Sequence, residues 1–263
     1  MQLDGIRVVV TGATSGLGEA MADALLDEGA TVAFASRPGP RLDVAVATRR
    51  QRGLAALALP TDVRDPRSVE RSAAEVVDQL GGVDVVVNNA GIGMRSVNPR
   101  FLEHATAFFE VPPERFTDLV ATNLTGYFLV ARAFAPGFVA ARRGRFVNVT
   151  MNHETMRRKG FVPYGPARAG AEALSLIMAE DLREHGVAVN LLLPGGATAT
   201  GMIPDELPDE ARARLLPAAI MGPPAVFLAS RESDGLTGAR IVAKDFEQFL
   251  AAFRAGGGAA VVS

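Results

Sequence analysis

The sequence predicts a doubly wound α/β fold of Rossmann type, with about seven parallel strands and helices on both faces of the sheet. Three observations carry this expectation. Short apolar runs alternate with longer helix-compatible segments from one end of the chain to the other. Several of those runs are continuously apolar or β-branched, as strands covered on both faces read. The first run passes directly into a glycine-rich turn and then a helical pattern, the opening of a nucleotide-binding unit.

Strands are expected at 8–10, 31–36, 55–59, 83–87, 145–149, 187–193 and 240–243, and helices over 16–28, 43–52, 68–80, 113–133, 166–185 and 223–230. Asp65-Pro66 and Pro112-Pro113 suit helix starts, because a first-turn proline gives up an N–H that has no partner there. Strand and helix alternating on this spacing imply right-handed crossovers. No linker, repeat or low-complexity tract interrupts them, so residues 1–263 read as one domain, with 256–258 as a glycine-rich tail.

Composition narrows the function. A chain of 263 residues buries roughly three quarters of its unfolded surface. The formal net charge of −2 points to neither nucleic acid nor an anionic membrane. The absence of cysteine excludes disulfides, thiolate metal sites and a cysteine nucleophile. With only three histidines and no H-E-x-x-H, no metal site is expected; the missing G-x-S-x-G elbow argues against a serine hydrolase. The N-terminal stretch lacks signal-peptide features, and no apolar run of about 18 residues is evident, so the expectation is a cytoplasmic protein without a membrane span.

The first turn reads Thr11-Gly12-Ala13-Thr14-Ser15-Gly16-Leu17-Gly18. Gly12 permits the tight turn, Gly16 lets backbone N–H groups approach a pyrophosphate, and Gly18 allows the helix to pack closely on the sheet. The helix N-terminus adds open donors and partial positive charge. At the end of the second strand stand Ser36 and Arg37, with Arg41 nearby. A carboxylate there would bind the ribose of NAD and repel a 2′-phosphate, whereas a hydroxyl and a guanidinium suit the phosphate. NADP(H) is therefore expected over NAD(H).

These motifs, in this order, resemble the short-chain dehydrogenases/reductases, and the resemblance covers nearly the whole chain. Thr14, Ser15 and Leu17 lie within the family's cofactor turn. Asp62-Val63 looks like its adenine-contacting pair, and Asn88-Asn89-Ala90-Gly91 like its signature after the fourth strand. Asn123 falls where the family keeps a catalytic asparagine, and Pro194-Gly195 matches its nicotinamide-side turn. The resemblance also implies a homodimer or homotetramer formed through the long helices, acting on a small-molecule substrate.

Ketone reduction needs a proton donor at the carbonyl oxygen, and a tyrosine serves when a nearby cation favours its ionised form. The family uses Ser, Tyr and Lys, the last two four residues apart on one helix face. Here Tyr164 is present and Arg168 stands at the lysine position. The stretch 148–154, Asn-Val-Thr-Met-Asn-His-Glu, contains no serine. By spacing Met151 or Asn152 takes that place, and Thr150 could supply a hydroxyl if the register slips. Three readings follow: a reductase in which Arg168 holds the phenolate and Asn152 orients the carbonyl; a non-redox enzyme (lyase, cyclase, epimerase or dehalogenase-like); or a catalytically impaired cofactor-binding scaffold.

His153 and Glu154 could supply acid–base chemistry or simply face solvent, and the run Arg157-Arg158-Lys159 could attract an anionic group or be solvated. The connection 92–122 is several residues longer than the resemblance implies and carries Phe101, Phe108, Phe109 and Phe116, which could cap an apolar, carbonyl-bearing substrate or pack on the core. Of Thr198 and Thr200, Thr200 is the better match for a contact to the nicotinamide carboxamide. Residues of about 200–220, most clearly 202–217, read as a substrate lid.

Overall fold

Every expected apolar run forms a strand of one parallel sheet in the computed structural model, which describes residues 1–204 and 207–256. The strands are β1 (Arg7–Thr11), β2 (Thr31–Ser36), β3 (Ala56–Pro60), β4 (Val85–Asn88), β5 (Gly144–Val149), β6 (Val187–Leu193) and β7 (Arg240–Val242). Their spatial order is β3-β2-β1-β4-β5-β6-β7. The direction of winding reverses between β1 and β4, which leaves a crevice beyond their carboxyl ends.

The helices are α1 (Gly16–Asp27), α2 (Pro40–Gln51), α3 (Pro66–Leu80), α4 (Pro113–Val120), α5 (Gly126–Ala141), α6 (His153–Met156), α7 (Tyr164–Arg183), α8 (Asp209–Arg212), α9 (Gly222–Ala229) and α10 (Phe246–Arg254). Alternate strand residues serve two cores, as the two-residue period of a strand requires. Val8, Val10, Phe34, Val87 and Val147 pack with Met21 and Leu25 of α1, Val46 of α2 and Phe227 of α9. Val9, Ala33, Val86 and Phe146 pack with Val69 and Val76 of α3, Phe134 and Phe138 of α5, and Leu182 of α7. Each of the valine, leucine, methionine and phenylalanine side chains among them stabilises the fold by about 1.5–3 kcal/mol.

Several expected bounds move. Helices α2 and α3 begin at Pro40 and Pro66, and Asp65 caps α3 by accepting from Arg67 N at 3.0 Å. The helix expected over 113–133 continues to Ala141 through Pro136, because the buried stripe Val130–Phe134–Phe138 continues past that proline. Only a π-helical turn, Ala121–Thr125, interrupts it. That rod, 113–141, does have the length and hydropathy of a spanning helix, contrary to the sequence expectation, but its apolar stripe lies on the sheet. Helices α6, α8 and α10 were not expected. Helix α10 is held by Phe246, Phe249 and Phe253, whose ring centroids lie 5.7, 5.9 and 5.3 Å from that of Phe227. Residues 257–258 of the expected tail lie outside the described residues.

Candidate active site

The turn after β1 is built for close approach. Gly12 and Gly16 have φ of +67° and +60°, which side chains with a Cβ rarely adopt. A Cβ on Gly12 would lie 2.9 Å from Ala90 Cα, and one on Gly18 would overlap the Gly12 carbonyl and Asn89 Nδ2. Asn89 and Ala90 act on the turn itself. The Asn89 amide donates to Thr11 O at 2.9 Å, and the backbone N–H groups of Asn89 and Ala90 donate to Thr11 Oγ1 at 2.9 and 3.0 Å. Thr14 lies in the turn, Ser15 at the N-cap of α1 makes no side-chain cap bond, and Leu17 packs against the core. The opening amides of α1 point into the crevice end of the sheet.

At the second strand end, Ser36 closes β2 with its Oγ buried and without a protein partner, and exposed Arg37 follows. Arg41 and Thr14 line one open groove beside the turn. Asp62 accepts from Arg64 Nε and Nη2 at 3.0 and 2.7 Å. That pairing holds the Asp62 carboxyl below the usual carboxylate range, partial burial working against it. Val63 is buried against Gly126, where a Cβ would come 2.9 Å from Val63 Cγ2.

Tyr164 opens α7, and Arg168 follows one helical turn later, only 3% exposed. Arg168 Nη1 donates to the Tyr127 hydroxyl at 2.6 Å and to Val149 O at 2.8 Å. Its guanidinium carbon lies 5.4 Å from each of the Tyr127 and Tyr164 ring centroids. Nε is buried without a protein partner, and Nη2 lies 2.6 Å from where a Cβ on Gly91 would stand. Burial opposes the Arg168 charge, but the two tyrosines outweigh it, and its pKa lies above the usual guanidinium value. Burial likewise pushes the Tyr127 phenol up. Asn123, fully buried in the π-helical turn, accepts from Ile92 N and donates to Ile92 O, both at 2.9 Å. It thereby braces the loop after Gly91.

The serine-less strand end is knotted to α7. The Thr150 hydroxyl donates to Glu172 Oε2 at 2.8 Å, which ties it to the helix layer. The same buried carboxylate meets His153 Nε2 at 2.6 Å and Arg240 Nε at 3.0 Å, while Arg240 Nη2 donates to Met151 O at 2.8 Å. His153 is thus a partner of Glu172 and not a purely solvated side chain; Glu154 is exposed. Asn152 Nδ2 donates to Gly195 O at 3.2 Å, joining the strand end to the Pro194-Gly195 turn.

In the long connection after β4, Phe101 packs edge-on against Phe161 at 5.7 Å, and Arg158 lies 5.2 Å over the Phe161 ring. Phe108 and Phe109 pair with each other and stay 73% and 76% exposed, so they do not pack on the core; Phe116 is also exposed. Thr200 rests against Gly16, 3.2 Å from where a Cβ would be, and Thr198 is turned inward onto Gly196 O. Arg95 Nη1 donates to Gly201 O and Ile203 O, tying the segment expected as a lid to the loop after β4; residues 205–206 of that segment lie outside the described residues. Among the described residues no group of three or more metal-ligating side chains occurs.

Tyr127, Glu172 and Arg240 at the site escaped the sequence reading, and only for the first two did the helix carry a local signal. Tyr127 lies one helical turn after Asn123, and Glu172 one turn after Arg168, so the four-residue helical spacing was the available signal. The left-handed glycine turn, the orphaned Ser36 hydroxyl and the orphaned Arg168 Nε together fit a nicotinamide dinucleotide.

A family profile for short chain dehydrogenases matches residues 7–211. The chain is 33% identical over 249 residues to the 3-oxoacyl-(acyl-carrier-protein) reductase FabG of Vibrio cholerae, covering 90% of this chain and 95% of that one. It is 28% identical to the 5-keto-D-gluconate 5-reductase of Escherichia coli, covering 90% and 92%. Among solved structures, a short-chain type dehydrogenase/reductase from Mycobacterium marinum superposes with a TM-score of 0.81 at 28% identity, covering 92% of this chain and 94% of that one. A gluconate 5-dehydrogenase from Burkholderia cenocepacia, in complex with NADP and tartrate, gives 0.81 at 26% identity with the same coverage. The chain belongs to the short-chain dehydrogenase/reductase family.

Proposed function

We propose that this protein is an NADP(H)-dependent oxidoreductase that interconverts a carbonyl and an alcohol on a small, largely apolar substrate. The observation that carries the reading is the buried Arg168 guanidinium set between Tyr164 and Tyr127. When bound, NADPH supplies the hydride to the carbonyl carbon. Tyr164 gives its phenolic proton to the carbonyl oxygen, forming the alcohol, and Arg168 stabilises the phenolate left behind. Asn152, close to Gly195, is the side chain available to orient the carbonyl. Arg168 would hold the nicotinamide ribose through Nε, and Gly12, Gly16 and Gly18 the pyrophosphate. Ser36 and Arg37 would take the 2′-phosphate, with Asp62 and Val63 at the adenine and Thr200 over the carboxamide.

NADP in the Burkholderia cenocepacia structure and the reductase activity named for two relatives support the redox reading. The exposed Phe128 of α5 and Leu176 and Ile177 of α7 support assembly through these helices as a homodimer or homotetramer, and we take the compartment to be the cytoplasm. The commitment of Thr150 to Glu172 favours the second reading, non-redox chemistry or a cofactor-binding scaffold. NADPH oxidation across a panel of aldehydes and ketones separates the two. Consumption with at least one carbonyl, abolished by Tyr164→Phe, is expected; tight NADPH binding with no consumption overturns the redox reading.

A further inference from the structure

We infer that Tyr127 is a positioning residue that fixes the plane of the Arg168 guanidinium and so makes arginine workable where the family keeps lysine. The inference rests on the proposed role of Arg168 beside Tyr164, but its first test requires neither cofactor nor turnover. An ammonium is a point charge that functions in many orientations, whereas a guanidinium is a flat fork whose donors help only when its plane is set. Here the plane is set from two elements. Nη1 is forked between the Tyr127 hydroxyl of α5 at 2.6 Å and Val149 O of β5 at 2.8 Å. Tyr127 in turn donates to Val149 O at 3.1 Å, so the three groups close a triangle. With its proton committed to that carbonyl, the phenol oxygen is left to accept from Arg168. Gly91 provides the room on the Nη2 side, where a Cβ would stand 2.6 Å away. Anchoring Nη1 in this way leaves Nε, buried and without a protein partner, as the donor for a nicotinamide ribose. Tyr127 is 2% exposed, and only a hydroxyl at that position completes the triangle.

The test is nitrogen-15 NMR of the arginine side chains in the apo protein, with Arg168 assigned by the loss of its signals in Arg168→Lys. In the wild type its Nε–H exchanges slowly and its two Nη resonances are separate, because rotation is held. In Tyr127→Phe, exchange accelerates by about tenfold or more and the Nη resonances merge, as expected for one lost charge-assisted bond. Tyr127→Leu, which also removes the acceptor hydroxyl, serves if the Phe variant does not fold. Unchanged Arg168 signals in a folded variant overturn the inference. Affinity for NADPH gives a second readout that a merely structural tyrosine would not produce. Tyr127→Phe and Arg168→Met each weaken binding about tenfold, and the double variant is no weaker than Arg168→Met alone. Losses that multiply to about a hundredfold contradict it. If no nicotinamide nucleotide binds at all, the proposed function falls, and the apo spectra still decide the role of Tyr127.

Discussion

Glu172 accepts the Thr150 hydroxyl at 2.8 Å across the boundary between α7 and the end of β5. Because His153 and Arg240 bond the same carboxylate, four elements that frame the crevice meet at one buried charge. Removing it leaves Arg240 and Thr150 without their partner. Glu172→Leu should therefore destabilise the protein by about 3 kcal/mol, and Glu172→Gln by about 1 kcal/mol, in denaturant unfolding. Thr150→Val should cost about 1 kcal/mol while leaving turnover unchanged. A collapse of turnover in that variant, with stability retained, would give Thr150 a direct role in the reaction.

Gly18 has no space for a side chain, since a Cβ would overlap both the Gly12 carbonyl and the Asn89 amide. Gly18→Ala should cost about 2–4 kcal/mol and abolish nucleotide binding, as α1 is pushed from the turn. Thermal unfolding with and without NADPH checks this. A normal melting temperature with undiminished ligand protection would be incompatible with the turn as described.

The end of β2 should govern cofactor choice. Ser36→Asp puts a carboxylate where the orphaned hydroxyl lies and should invert the preference from NADPH to NADH. Arg37→Ala should weaken NADPH about tenfold and leave NADH nearly unaffected. Equal losses for both nucleotides in the arginine variant would mean that Arg37 reads no 2′-phosphate.

Asp84 links the start of β1 to the loop before β4. It accepts from Arg7 Nε at 2.8 Å, Arg7 Nη2 at 2.9 Å and Arg7 N at 3.0 Å. Burial pushes its carboxyl up, but the Arg7 bonds outweigh that and hold it below the usual range. A depressed folded-state pKa contributes stability that is full above the unfolded value of about 4 and is lost as pH falls through the folded value. Asp84→Asn should be about 1 kcal/mol less stable than wild type above roughly pH 5, with the gap narrowing below pH 4. A gap that widens on acidification would reverse the assigned sign.

The sheet was legible because both-face burial writes strands as continuous apolar runs, and each run proved to be a strand at nearly its expected limits. Helix limits were less so: the helix expected to end at 133 runs on through Pro136, because Phe134 and Phe138 bury on either side of that proline and carry α5 onward. At the site, the glycine turn and the Tyr164–Arg168 spacing could be read from local chemistry. The partners of Arg168 could not, because Tyr127 lies 41 residues upstream and nothing local ties a phenol on α5 to a guanidinium on α7. The same holds for Arg240, which reaches Glu172 from β7 across 68 residues. Only the folded sheet brings those groups together.

The central claim, that the turn after β1 and the Ser36–Arg37 strand end hold NADP(H), is tested most directly by parallel calorimetric titrations with NADPH and NADH. Saturable heat with NADPH, and binding of NADH at least about tenfold weaker, is the expected result. No heat and no thermal stabilisation with either nucleotide would contradict it.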